Sequence, residues 1–264
     1  MIVIDKEKCI GCGKCLNVCF GGALKIEEGK AECIKDDCLH CGQCVAICPA
    51  NAVSIPDYDM EEVEEYDEKT FTITPENYLH AVKFRRSIRD FKPEKIEHEK
   101  MVNILNAGRY SATARNLQAC KFILIQDELE EFKKLLWEQV PVIAESFKET
   151  LPRYHALFTY FYRKYKKNPK DDTLFFNTPS FLVIAADNPW DAGLAAANIE
   201  NMAVAEGAGV LYSGYTQRLI NASPVLKEWL GIGDTPVACC LLMGYPANRY
   251  LRTAPRKKGN ITYR

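Results

Sequence analysis

At 264 residues the chain is too long for a disulfide-stapled miniprotein and can bury one substantial core beside a small satellite, since a domain of that size buries roughly three quarters of its unfolded surface. With 34 basic against 35 acidic residues, its net charge of −1 gives no bulk attraction to nucleic acid or to a membrane surface. The best apolar runs, Phe181 to Ala186 and Val237 to Met243, fall far short of the roughly 18 residues a membrane span needs. The opening MIVIDKEKC carries charges where a secretory signal needs its apolar region, so a soluble, cytoplasmic protein is expected.

Twelve cysteines in a reducing compartment are expected to be thiols or metal ligands. Eight fall in two runs of the form C-x2-C-x2-C-x3-C, CIGCGKCLNVC at 9–19 and CLHCGQCVAIC at 38–48. A constant offset of 29 superposes all four cysteines and pairs Gly13 with Gly42, Val18 with Ile47 and Ala23 with Ala52. Short β-prone stretches precede the runs (Ile2 to Ile4, Ala31 to Ile34) and follow them (Leu24 to Ile26, Val53 to Ile55), which marks an internal duplication. Thiolates at every third residue suit a tight loop around a compact multi-metal object. Structural zinc usually takes two C-x2-C pairs and has no use for a third and fourth cysteine in each run. Cys33 lies outside both runs and reads as a small buried residue, and His40 as a solvent-facing loop histidine.

The spacing is that of bacterial ferredoxins, and residues 1–56 resemble their two-cluster domain. By that resemblance Cys9, Cys12, Cys15 and Cys48 hold one [4Fe-4S] cluster, and Cys38, Cys41, Cys44 and Cys19 the other. Pro49 keeps the usual proline after the second run, and Phe20 stands in its place after the first.

The stretch DYDMEEVEEYDE, Asp57 to Glu68, holds eight acidic residues and no basic one. Charge of one sign at this density resists compaction, so 57–74 is expected to be an exposed linker. Beyond it, at 75–264, helical patterns cover Pro75 to Phe84, Glu94 to Gly108, Glu128 to Gln139, Asp191 to Glu206 and Pro224 to Leu230. Strand patterns cover Lys121 to Gln126, Phe181 to Ala186, Val210 to Ser213 and Val237 to Met243. Interleaved in this way they predict a mixed α+β sandwich. The alanine-rich helix is expected to start at an Asp191 N-cap and to lie buried in the domain or at a dimer seam. YHALFTYFYRKY, Tyr154 to Tyr165, repeats aromatics at helical spacing and reads as core or dimer packing, with a lid as the alternative. Cys239 and Cys240, in VACCLLM, read as buried strand residues.

Arg85-Arg86-Ser87-Ile88-Arg89 sets three arginines and a hydroxyl within five residues. Ser111 to Gln118, SATARNLQ, precedes a strand pattern; Tyr212-Ser213-Gly214-Tyr215 follows the alanine-rich helix; Arg256-Lys257-Lys258 lies near the C-terminus, and no acidic residue follows Asp234. Taken together these resemble the FMN-dependent nitroreductase family over about residues 75–264. The resemblance implies that Arg85, Arg86, Ser87, Arg89 and Arg256, with Lys257, bind the flavin phosphate and ribityl chain. It implies that Asn116 offers its amide to the isoalloxazine ring, and that Ser213 and Gly214 present backbone N–H groups to it. Ala112, Ala119 and Ser213 depart from the residues usual in the family. A phosphate dianion calls for several guanidinium donors, which agrees with this assignment.

The resemblance also implies an obligate homodimer. The two domains together predict a cytoplasmic oxidoreductase in which a low-potential donor, an external ferredoxin, feeds two [4Fe-4S] clusters and then FMN, which reduces a nitroaromatic, a quinone or an activated alkene. Two alternatives stay open: an NAD(P)H-driven enzyme exporting electrons through its clusters, and a non-catalytic electron-transfer module. No side chain stands out as a catalytic acid or base, although Tyr212 is a candidate proton donor.

Overall fold

The computed structural model describes all 264 residues, which fall into two compact units. The first comprises Met1–Thr72 with Thr113–Leu117, and the second Ile73–Ala112 with Gln118–Arg264. The acidic stretch up to Thr72 therefore belongs to the first unit.

In the first unit the duplication is preserved in the backbone. Each repeat has an opening strand, β1 (Val3–Ile4) or β3 (Lys30–Cys33), a short helix, α1 (Lys14–Val18) or α2 (Gln43–Ala46), and a closing strand, β2 (Leu24–Glu27) or β4 (Val53–Ser54). The repeats pair crosswise and antiparallel: β1 bonds β4, and β2 bonds β3, so the opening strand of each repeat pairs with the closing strand of the other. Three equivalent positions share a left-handed backbone, Gly11 with His40, Gly13 with Gly42, and Gly22 with Asn51. His and Asn are among the side chains that tolerate this region best. A continuous loop was the expectation for each cysteine run; instead Gly13 and Gly42 start a helical turn that carries the third cysteine, Cys15 or Cys44, into the interior. Cys33 is half-buried, its thiol 3.6 Å from the Lys35 carbonyl, which corrects the buried expectation; β3 is the strand that pairs with β2, and its last residue lies at the end of that small ladder. His40 is half-buried as well, packed edge-on against Tyr58. The acidic segment stays exposed around one turn of helix, α3 (Glu68–Phe71).

The second unit is built on a four-stranded antiparallel sheet ordered β5-β6-β8-β7. Its strands are β5 (Lys121–Ile125), β6 (Ser180–Ala185), β7 (Gly209–Tyr212) and β8 (Val237–Gly244). The helices are α4 (Pro75–Phe84), α5 (His98–Arg109), α6 (Leu129–Ser146), α7 (Pro152–Lys167), α8 (Pro189–Ala205), α9 (Gly214–Asn221) and α10 (Pro224–Trp229). β6 is buried along its whole length, which explains its unbroken apolar run. Phe181 and Val183 join a core with Phe132, Leu136, Phe158 and Leu219 of α6, α7 and α9, while Leu182 and Ile184 face a second core with Ile104 of α5 and Ile199 of α8. The sheet is thus sandwiched between two helical layers.

Several sequence expectations change here. The N-cap of α8 is Asn188, whose side chain accepts from the Trp190 N–H, and Pro189 occupies the first helical position in place of Asp191. α6 runs through Pro141 to Ser146 because Leu136, Val140, Ile143 and Ala144 keep one face buried beyond it. Helix α9 went unpredicted, although Ser213 caps it and Thr216, Leu219 and Ile220 form its buried face. Of the two β8 cysteines expected to be buried, Cys240 is buried and Cys239 only half-buried, the latter packing against the layer that also covers Leu241 and Met243. The aromatic segment is helix α7, with Phe158 and Phe161 buried and Tyr165 stacked on Trp137 at 4.4 Å.

A Cβ on Gly11 would collide with the Gly29 carbonyl oxygen, whereas one on Gly13 would meet open space; φ is positive at both. Gly13→Ala is expected to cost about 1 kcal/mol through its backbone angle alone, and Gly11→Ala about 2 kcal/mol or more. Equal midpoint losses for the two variants in chemical denaturation would show that the collision is irrelevant.

Candidate functional site

Cys9, Cys12, Cys15 and Cys48 line one pocket, closed on its apolar side by Ile4 and Val53. Crosswise strand pairing brings Cys48, from the second run, to the three cysteines of the first. Backbone N–H groups already point at the sulfurs: Ala23 N to Cys19 Sγ at 3.2 Å, Ala52 N to Cys48 Sγ at 3.3 Å and Ala31 N to Cys9 Sγ at 3.4 Å. The first two are equivalent in the duplication. Such donors tune whatever the sulfurs bind. No three His, Cys, Asp or Glu side chains are arranged for a single metal ion. Four thiols around a pocket suit a larger polynuclear centre, so the residues fit [4Fe-4S] chemistry. Cys38, Cys41 and Cys44 occupy equivalent places in the second run, with Cys44 as buried as Cys15 and Cys41 as exposed as Cys12.

In the second unit the arginine-rich stretch follows α4 and lies along β7. Ser87 forms a parallel bridge to Val210, and Ile88 N donates to the Val210 carbonyl at 3.1 Å. The chain then meets the C-terminal segment: Lys92 N bonds Tyr245 O at 2.8 Å, Ala247 N bonds Asp90 O at 3.0 Å, and Asn248 Nδ2 bonds Asp90 Oδ2 at 2.7 Å. Arg86 crosses the face of Tyr250 at 4.1 Å and donates to the Arg252 carbonyl at 2.6 Å. Two segments distant in sequence are therefore adjacent, as a shared anion site requires. Arg256 and Lys257 are not part of this junction; both are exposed, and Arg256 bonds only the neighbouring Pro255 carbonyl.

Arg85 turns inward. Its Nη1 lies 3.2 Å from Glu200 Oε1 on α8, with Glu200 buried and Arg85 a third exposed. Burial pushes the Glu200 carboxyl above the usual range, against the pull of the guanidinium. The hydroxyl of Tyr212 is raised as well, first by desolvation and then by Glu200, so it stays protonated. Ser213 caps α9 through its side chain, and its own N–H donates to Cys240 O at 2.8 Å, which leaves Gly214 as the first backbone donor of that helix facing outward. Arg86, Ser87 and Arg89, on the stretch bonded to β7, form a donor set that fits an anionic cofactor. Burial also raises the thiols of Cys239 and Cys240, which keeps both inert.

Asn116 is placed differently. It belongs to the first unit, and its Nδ2 donates to the His40 carbonyl at 3.0 Å. Upstream in the same motif, Ser111 is buried and accepts from Asn198 Nδ2 at 2.8 Å, a partner no sequence spacing signalled.

Arg85→Ala would leave the Glu200 carboxylate buried without its cation. The expected cost at neutral pH is about 2 kcal/mol, below the range for a fully buried pair because Arg85 is partly solvated. Glu200 has a raised folded pKa, so it binds its proton more tightly when folded, and the stability tied to that proton is lost as pH rises through the folded value. The penalty should therefore shrink toward pH 4, and a penalty that grows in acid would refute the pairing as its cause.

The profile of the nitroreductase family matches residues 82–245, and that of a 4Fe-4S dicluster domain matches residues 8–77. Among solved structures, the chain is similar to a nitroreductase with bound FMN from Bacteroides fragilis, at 18% identity and TM-score 0.57, over 70% of this chain and 97% of that one. It is similar to a nitroreductase with bound FMN from Desulfitobacterium hafniense, at 20% identity and TM-score 0.55, over 70% and 97%. An FMN-dependent nitroreductase from Clostridium difficile matches at 19% identity and TM-score 0.53, over 72% and 100%. At these identities the likeness is one of fold. A search of the curated proteins found no match. Because the matched segment spans more than half of the chain, the protein belongs to the nitroreductase family, and it carries a 4Fe-4S dicluster ferredoxin domain ahead of its nitroreductase domain.

Proposed function

We propose that this protein is an FMN-dependent iron–sulfur oxidoreductase that takes electrons from a low-potential carrier, an external ferredoxin, and delivers them to a small acceptor such as a nitroaromatic, a quinone or an activated alkene. The observation that carries the reading is the union, in one chain, of a four-cysteine pocket and a nitroreductase domain with a cationic junction. When bound, the clusters carry single electrons at low potential and FMN exchanges one or two, so the pair joins a one-electron donor to a two-electron acceptor.

The chain's own residues have definite tasks. Cys9, Cys12, Cys15 and Cys48 would hold one cluster; Cys38, Cys41, Cys44 and Cys19 the other. Arg86, Ser87 and Arg89, with Arg85 anchored on Glu200, would hold the flavin phosphate and ribityl chain, and the Gly214 N–H would face the ring. Arg256 and Lys257 would join the site in a homodimer, which the exposed C-terminal segment leaves them free to do. The Tyr212 hydroxyl, kept protonated, would supply a proton or orient the acceptor. The basic stretch after Asp234 suits an acidic donor such as a ferredoxin.

An anaerobic stopped-flow experiment on protein with verified iron, sulfide and FMN content tests the reading. Reduced ferredoxin is expected to reduce the clusters first and bleach the flavin afterwards. Fast bleaching by NADH or NADPH with clusters filling later would reverse the flow, and the absence of turnover with every acceptor class would leave only a carrier. Cys48→Ser is expected to alter the cluster of the first run and spare that of the second, as counted by EPR signals; loss confined to the second would overturn the ligand assignment.

A further inference from the structure

The duplication that shapes the first unit is not a duplication of charge. An offset of 29 sets Lys6 opposite Lys35 and Glu7 opposite Asp36, and these pairs match in sign. The two lysines also act alike: Lys6 Nζ donates to the Ala31 carbonyl at 2.9 Å and Lys35 Nζ to the Gly21 carbonyl at 2.6 Å. Elsewhere the copies part. Lys14, exposed and lining the pocket of Cys9, Cys12, Cys15 and Cys48, stands opposite the uncharged Gln43. Lys8 stands opposite Asp37, but Lys8 is paired with Asp5 at 3.5 Å, whereas Asp37 is exposed immediately before Cys38 with no cation on it.

The largest difference is Lys30. Its equivalent in the first copy is Met1, whose side chain is uncharged and whose terminal ammonium lies 3.8 Å from Asp57. Lys30 is half-buried at the start of β3, and its Nζ donates to the Cys9 carbonyl at 2.6 Å, with no carboxylate paired to it. Solvent and salt screen a half-buried ammonium less than an exposed one. The next residue, Ala31, gives its N–H to Cys9 Sγ at 3.4 Å, and the equivalent peptide at Ile2 makes no bond to Cys38. One short strand thus brings both a cation and a sulfur-directed donor to the first cysteine run. The second run receives neither.

We propose that Lys30 and Lys14, with the Ala31 N–H, make the four-cysteine site of the first run the one that holds a single electron, leaving the site of the second run to fill last and to be the stronger reductant. The inference rests on the proposed function and adds to it where the first electron rests. An added electron is a negative charge, and a fixed cation or an N–H aimed at sulfur stabilises it. Asp37 beside Cys38 has the opposite effect. The step balances with no bond made and no proton moved: a one-electron carrier of the ferredoxin class is oxidised, and the first-run site is reduced. A donor must therefore be strong enough to fill the second site before the unit holds the pair of electrons that a two-electron acceptor takes.

The test is an EPR-monitored potentiometric titration of full-length protein with verified iron, sulfide and FMN content, as wild type and as Lys30→Met, Lys14→Gln and Gln43→Lys. The wild type is expected to show two one-electron steps at different potentials. Lys30→Met and Lys14→Gln should each lower the higher one, by on the order of three- to tenfold in the equilibrium that shares an electron between the sites, where tenfold is about 59 mV for one electron. Gln43→Lys should raise the lower one and draw the two together. Molar salt should erase the Lys14 and Gln43 effects, because both side chains are exposed, and should leave part of the Lys30 effect. A merely structural loss would move both steps or neither, whatever the salt. Two clusters of equal potential in the wild type would overturn the proposal. So would a lysine variant that lowers only the lower step, or potentials that none of the three variants moves. Wild-type protein with unequal clusters that never passes electrons to FMN would instead overturn the proposed function and leave the charge asymmetry standing, and protein that binds fewer than two clusters would overturn both.

Discussion

The hydrogen bond from Ile88 N to the Val210 carbonyl, 3.1 Å long, fixes where the candidate flavin residues of the second unit stand. It ties the arginine-rich stretch to the edge of β7 through one isolated bridge, with Arg86 and Arg89 on either side of it. The approach is close enough that Gly209 has no room for a side chain: a Cβ there would collide with Ile88. Edge strands carry unpaired N–H and C=O groups that must be covered, and here the covering segment is also the one rich in cations. The contact that covers part of this edge thus also fixes the backbone that carries the guanidinium groups.

The first unit solves a comparable problem by exchange. Neither repeat pairs its own two strands; each opening strand bonds the closing strand of the other repeat. A unit this small buries few large side chains, its core consisting mainly of Ile2, Leu24, Val53, Ile55 and the cysteines themselves. Domains of this size commonly depend on a metal centre for stability. Exchange would make the dependence mutual, because the pocket lined by Cys9, Cys12, Cys15 and Cys48 draws on both repeats. The fold and its pocket therefore stand or fall as one.

Much of this was legible from residues alone, and the failures have physical causes. The cysteine offset, the four short strands and helix α4 at Pro75–Phe84 were readable because local signals act alone there: thiol spacing, β-branched pairs, a proline after a capping threonine. The continuation of α6 beyond Pro141 was not, since tertiary burial of Ile143 and Ala144 outweighs a local breaker. Helix α9 hid behind the motif that overlaps it: Ser213 and Gly214 were read for the flavin, while Ser213 was also the cap that announced a helix. Among candidate site residues, Arg86 and Ser87 were indicated by the resemblance of several motifs taken together, since a basic cluster alone reads as a solvated face. The partners Glu200, buried, and Asn198, exposed, could not be anticipated, because single polar side chains on an alanine-rich helix carry no spacing signal of their own.

Glu200 shows what the arginine cluster demands of the interior. Three guanidinium groups within five residues repel one another. A buried carboxylate under Arg85 lowers that repulsion at the point nearest the core, at the cost of its own desolvation, and the raised carboxyl pKa records that the cost is not fully offset. Arg86 is steadied differently, by the Tyr250 face and a carbonyl, which stabilise a cation without cancelling its charge. Arg89 remains exposed. The field of the site is thus graded, from a neutralised inner arginine to an unneutralised outer one. The uncompensated positive charge is therefore outermost, where solvent screens it, and the compensated charge lies nearest the core.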